Sequence, residues 1–205
     1  MKSIFVSSVK SACEAALVAR GFRRLRQHEV ALDISSDFLG WVGLNIGNYA
    51  THVRVNPFVG VHCIPIMRTI ASLEMDKYQI GSVATYAIHL GDLCPTEKVL
   101  DFSSESDLSS EASRLAEAIK QYGEPYMRSI ASIPTLLPLL KDRTNTLGGF
   151  PERYAMALRL NNQDDEARAF VIARQQEYSK RERAVRESFD RFAIPFLEQR
   201  PRGQG

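Results

Sequence analysis

Histidine, carboxylate, arginine and tryptophan side chains fall at alternate positions in the first half of this chain. Glu29, Asp33, Trp41, Asn45, His52, Arg54, Asn56 and His89 interleave with valines, leucines and isoleucines. Alternation puts residues i and i+2 of a strand on one face, so the apolar set faces a core and these eight share the opposite, polar face. His52 or His89 beside a carboxylate could exchange protons as general acid or base, with Arg54 holding an anion. An antiparallel sheet with one solvated face carries such residues in any case. Trp, Tyr and Arg on a polar face are interface anchors, which favours binding over catalysis and makes Trp41, Asn45, Tyr49, His52 and Arg54 candidate partner-binding residues.

Other chemistry is weakly represented. The chain has no GxSxG, P-loop, GxGxxG, HExxH, HxE with PCxxC, or EF-hand loop. His62 and Cys63 are adjacent, and neighbours in a strand point to opposite faces, so no metal site is expected there. Cys94 stands near Asp92, whose charge would raise a thiol pKa and blunt a nucleophile. Cys13, Cys63 and Cys94 form an odd set without metal spacing, read as buried free thiols of a reducing compartment. No catalytic residue, cofactor or metal is assigned.

Charge is uneven along the chain. Residues 1–30 hold six basic and two acidic residues, residues 70–111 two basic and eight acidic. Arg20, Arg23, Arg24 and Arg26 are the candidate nucleic-acid contacts, although Phe22 alone accompanies them as a stacking ring. Asp92, Glu97, Asp101, Glu105 and Asp107 form an acidic stretch suited to a basic partner. Between Arg174 and Arg191, Glu177 with Arg181, Glu182 with Arg186 and Glu187 with Arg191 are spaced as i,i+4 pairs, the pattern of a solvated helix.

These residues must be carried by an α+β chain. Val6, Val9, Cys13, Ala16 and Leu17 mark an opening amphipathic helix that closes at Gly21. Three strands follow in series, through Val30–Ile34, Trp41–Ile46 and His52–Asn56, and their short turn-rich joints dictate an antiparallel meander. Pro65–Met75 reads as a helix, Val83–Leu90 as a fourth strand and Leu93–Ser110 as an acidic loop. Helices are expected over Leu108–Tyr122, Ile133–Lys141, Pro151–Leu160 and Asp164–Gln199. Tyr154 to Ala169 has the look of one tetratricopeptide-like hairpin, with Asn161-Asn162 at its turn. The organisation expected is residues 1–107 as an α+β domain with an antiparallel sheet, and 108–205 as an all-helical region sharing its core or standing apart.

The 205 residues are 44% hydrophobic and 24% charged with a net charge of +2, which fits an ordinary globular protein and gives no general field for polyanions. No run approaches the about 18 apolar residues of a membrane span, and the N-terminus lacks a secretory core, so a cytoplasmic protein is expected.

Gly21-Phe22-Arg23-Arg24 after the first helix, the meander through Trp41, Tyr122-Gly123-Glu124-Pro125-Tyr126 and the hairpin with Asn162-Gln163-Asp164-Asp165-Glu166-Ala167 occur in that order. Together they resemble bacterial domain-of-unknown-function proteins similar in layout to the immunity and accessory proteins found beside polymorphic toxins; Phe58–Leu93 has no counterpart. The resemblance implies a cytosolic, non-catalytic protein that binds a protein partner such as a toxin, or serves a defence system. The alternatives are a small-ligand or hydrolytic enzyme using His52 or His89, and nucleic-acid binding through Arg20–Arg26.

Overall fold

Val9, Cys13 and Leu17 recur every fourth residue and are fully buried along one side of helix α1 (Lys2–Val18). The helix closes as its sequence dictates. Gly21 adopts φ +92°, the left-handed conformation that disfavours a side chain, and the Phe22 amide folds back to the Leu17 carbonyl at 3.2 Å. The structure, a computed structural model, describes residues 2–25, 29–96, 99–104, 106, 108–146 and 149–199.

Among the described residues eight strands follow: β1 (Arg23–Arg24), β2 (Val30–Asp33), β3 (Phe38–Gly43), β4 (Ile46–Asn48), β5 (Val53–Val55), β6 (Phe58–Cys63), β7 (Tyr86–His89) and β8 (Leu100–Phe102). They form two sheets, ordered β1-β2-β3-β6-β7 and β4-β5-β8. A short turn through Ser35-Ser36-Asp37 joins β2 to β3, pairing Val30 with Val42 and Asp33 with Leu39 antiparallel.

The run Trp41–Ile46 is divided instead of forming one strand. Asn45 takes φ +43°, its carbonyl receives the Asn56 amide at 3.1 Å, and the chain leaves for the second sheet. A single left-handed residue redirects the backbone without disturbing the apolar alternation, so the pattern reads through the bend. A second correction concerns the acidic loop, because Leu100–Phe102 is a strand, antiparallel to β5. Two buried apolar residues around one exposed aspartate are too short a signal among serines and acids.

Val83–Leu90 contracts to β7, which pairs with β6 so that Gly60 lies opposite Ala87. A Cβ on Gly60 would collide with the Tyr86 carbonyl, which accounts for a glycine inside this strand.

The helices are α2 (Ile64–Leu73), α3 (Leu108–Ala118), α4 (Glu124–Ser129), α5 (Ile133–Arg143), α6 (Pro151–Leu160), α7 (Asp164–Tyr178) and α8 (Arg183–Glu198). A π-helical turn, Ile119–Gly123, links α3 to α4. The expected helix Asp164–Gln199 is thus two helices. Ser179–Glu182 are all exposed and offer no apolar side chain to hold a continuous helix, while Tyr178 meets Phe189 edge-on at 5.2 Å once α8 returns along α7. Of the three expected ion pairs, Glu177 with Arg181 forms at 3.3 Å, whereas Glu187 takes Arg183 at 2.6 Å and Glu182 lies outside the helix as the N-cap of α8. Helices α6 and α7 form a hairpin through Asn162, at φ +61°, but one hairpin without a stacked neighbour does not establish a tetratricopeptide unit.

By their contacts the residues separate into two discontinuous compact units, 1–62 with 81–131 and 63–80 with 132–205, unlike the contiguous division at 107/108 read from composition. In the first, α3 packs along α1, where Arg20 just beyond α1 reaches Glu117 at 3.0 Å, while Met127 of α4 lies beside Gly40 of β3 and Val59 of β6 beside Gly123. In the second, α2 packs against α6 and α8, burying Ile66 and Ile70. Among the described residues no helix is long and apolar enough to cross a membrane.

Candidate functional site

The second sheet assembles a cluster from two segments that are far apart in sequence. Pairing of β5 with both neighbours places Gly47, Arg54 and Asp101 in one row, on the face opposite buried Val53, Val55, Leu100 and Phe102. Arg54 donates Nε–H and Nη2–H to the two Asp101 oxygens, each at 2.7 Å, a bidentate geometry that fixes the guanidinium plane. The Arg54 hydrogen bond and charge hold the Asp101 carboxyl below the usual carboxylate range, and Asp101 in turn raises Arg54. The stabilising effect of this pair is present above the ordinary aspartate pKa and is lost as pH falls through the lowered value.

The hairpin turn adds aromatic and imidazole groups. The Tyr49 amide bonds the His52 carbonyl at 2.9 Å, and the two rings stack at 4.9 Å with 10° between planes. Arg54 Cζ lies 5.4 Å from the centre of the Tyr49 ring. Gly47 makes room for that ring, since a Cβ there would stand 2.8 Å from Tyr49 Cε2. Beside the cluster a cavity of about 490 Å³ is lined by Ile4, Phe5, the turn residues Asn48–Val53, Ser103 and Ser104. Tyr49 remains 50% exposed.

Neither His52 nor His89 forms a hydrogen bond with a carboxylate among the described residues. His52 Nε2 stands 3.6 Å from Asp101 Oδ1, beyond hydrogen-bond reach, and both Asp101 oxygens are committed to Arg54. His52 Nδ1 shares a 3.1 Å bond with the Thr51 hydroxyl. His89 belongs to the other sheet, where its ring packs on Phe58 at 3.8 Å and Nδ1 lies 3.2 Å from Asn56 Oδ1. Hence the eight polar residues expected on one face do not share one: Asp33, Trp41 and His89 are on strands of the first sheet, Arg54 is on the second, and Glu29, Asn45, His52 and Asn56 lie outside the strands.

Trp41 is a clamp and not a free anchor. Its indole N–H donates to the Gly81 carbonyl at 2.9 Å, and buried His62 accepts from the Gly81 amide at 3.3 Å while giving its Nδ1 proton to the Val83 carbonyl at 2.7 Å. Those bonds set the His62 tautomer and occupy both ring nitrogens.

Asp92 is exposed in the 3₁₀ turn Leu90–Asp92, while Glu97, Glu105 and Asp107 lie outside the described residues. The described part of the arginine cluster is compensated: Arg20 pairs with Glu117 at 3.0 Å, Arg23 with Asp33 at 2.9 Å and Arg24 with Glu14 at 3.7 Å. Arg26 lies outside the described residues.

No described group of three or more His, Cys, Asp and Glu side chains could hold a metal ion. All three cysteines are free and buried, and burial pushes the Cys13 thiol up to about 12. A disulfide-exchange reagent at pH 8 is therefore expected to label the native protein far more slowly than the denatured chain. Rapid native labelling of any cysteine would contradict this packing.

Arg54 and Asp101 were each visible as chemistry-bearing residues, and their pairing across β5 and β8 was not. Gly47, Phe5, Ser103 and Ser104 carried no signal, because a steric vacancy and a cavity wall are properties of the assembled sheet. No family model, curated protein or solved structure matches the chain.

Proposed function

We propose that this protein is a non-catalytic protein-binding protein whose recognition surface is the outer face of the second sheet, with Tyr49 as anchor. The observation that carries this reading is a half-exposed aromatic ring held by a stacked imidazole and a carboxylate-locked arginine at the edge of a largely apolar cavity. Tyr and Arg are enriched where truncation costs most binding energy, and an anchor fixed before association loses little side-chain entropy on binding. The finer reading, an immunity-type inhibitor of a bacterial toxin or a defence accessory acting in the cytoplasm, rests on the layout resemblance and on the free cysteines. In that case the partner is a basic protein, met also by the exposed carboxylate of Asp92.

The test is site-specific photo-cross-linking in host cells, with a photoreactive residue at position 49 and a control at Val185, which is also exposed. A discrete protein adduct is expected from position 49 alone. Arg54→Ala should weaken it about tenfold, because the Tyr49 ring loses the guanidinium packed against it. Identical adducts from both positions, or none from position 49, would sink the proposal. Cross-links to nucleic acid would favour the arginine-based alternative instead.

A further inference from the structure

The second unit contains a cavity that the sheet site does not use. It measures about 420 Å³, within the range of small-ligand sites, and is built by the end of α2, the entry to α6, the end of α7 and the start of α8. Phe150, Tyr178, Phe189 and Phe192 contribute aromatic walls, and Glu74 and Glu152 are its charged lining residues. Neither carboxylate has a side-chain ion pair among the described residues and no Arg or Lys is among the lining residues, although Arg153 acts on both carboxylates from outside the lining. One wall already shows affinity for positive charge, because the Arg153 guanidinium lies 3.7 Å from the centre of the Phe150 ring.

From this combination of aromatic faces and unpaired carboxylates in one cavity, we propose that the second unit binds a small organic cation, a protonated or quaternary amine on an apolar body. The rings accept the cation and its alkyl groups through their negative faces, and Glu152 with Glu74 neutralises it. An anion would meet two carboxylates, and a neutral apolar molecule would gain nothing from their charge.

The carboxylates carry a signature that such a ligand would change. Burial, aided by the charge of Glu74 and opposed by its own amide and by Arg153, pushes Glu152 up to about 7. Burial also raises Glu74, with Asp76 adding to the shift and Arg191 and Arg153 opposing it. Arg153 itself is pulled down to about 10 by burial. A bound cation stabilises the ionised form of Glu152, so binding expels a proton near neutrality and strengthens as pH rises.

The experiment is calorimetric titration of the full chain with choline and, separately, with its uncharged carbon isostere 3,3-dimethyl-1-butanol. Choline is expected to bind at least about tenfold more tightly, with an affinity rising about tenfold between pH 6 and pH 8 and with proton release at pH 7 shown by buffers of different ionisation enthalpy. Glu152→Gln, which preserves shape, should abolish the proton release and weaken choline about tenfold. Phe150→Leu, at an exposed wall position, should weaken it without disturbing the fold, and Tyr49→Ala in the other unit should leave it unchanged. Equal affinity for the two compounds, no binding of choline, or full choline affinity in Glu152→Gln would overturn the proposal. None of these results bears on the Tyr49 surface, so the two readings fail separately.

Discussion

Arg159→Ala should lower the stability of the second unit by about 4 kcal/mol, the typical cost of removing one partner from a buried ion pair. Arg159 has only 4% of its side chain exposed and gives Nε–H to Asp164 Oδ1 at 2.6 Å. Its remaining donors reach Gln199 Oε1 at 3.0 Å and the Phe196 carbonyl at 3.3 Å, and its guanidinium covers the Phe196 ring at 3.5 Å. One arginine thus ties α6, the start of α7 and the end of α8 together. Alanine would leave the Asp164 carboxylate, only 11% exposed, charged and without its partner, with its second oxygen already lacking a hydrogen-bond partner. Denaturant midpoints followed by helical circular dichroism provide the measurement, accompanied by a fall in melting temperature of about 8–16 °C. The double variant Arg159→Met with Asp164→Leu removes both charges and should recover more than half of the loss. A single variant within 1 kcal/mol of the parent would show that this pair does not hold the three helices.

Gly60→Ala is expected to cost about 3 kcal/mol in the first unit, at the upper end for an overpacked interior position. The collision there is with the backbone carbonyl of Tyr86, which cannot rotate away without opening the β6–β7 ladder. Gly21→Ala is the informative contrast, since a Cβ at Gly21 meets nothing within 4 Å and the strain comes only from φ +92°. About 1 kcal/mol is expected for that backbone strain. Equal losses in the two variants, read by equilibrium unfolding, would refute the assignment of the Gly60 effect to strand contact.

The readable part of this chain was its periodicity. Val9, Cys13 and Leu17 repeat at helical spacing, and the turn residues Ser35–Asp37 stand between two alternating runs, so α1 and the first hairpin follow from local rules. Asn45 is where local reading ends. The residue suits a left-handed bend, but the apolar alternation continues through it, and the pattern cannot say which sheet each side joins. Arg54 and Asp101 show the same boundary for the site. Their types announce charge pairing, while a separation of 47 positions hides it until β5 and β8 are registered. Glu74 and Glu152 had no signal at all, because only helix packing encloses them with aromatic rings.

The interleaving of the two units has a consequence for synthesis on the ribosome. Helix α2 is made early, yet its covering partners α6 and α8 begin at Pro151 and Arg183. At about 5–20 residues per second, its buried face, Ile66 and Ile70 included, waits about 4–16 s for α6 to be made. Meanwhile the polypeptide completing the first unit, residues 81–131, is translated. The nascent chain therefore exposes an isoleucine-rich helix while its first unit is being finished, and chaperone contact at the ribosome would concentrate on Ile64–Leu73.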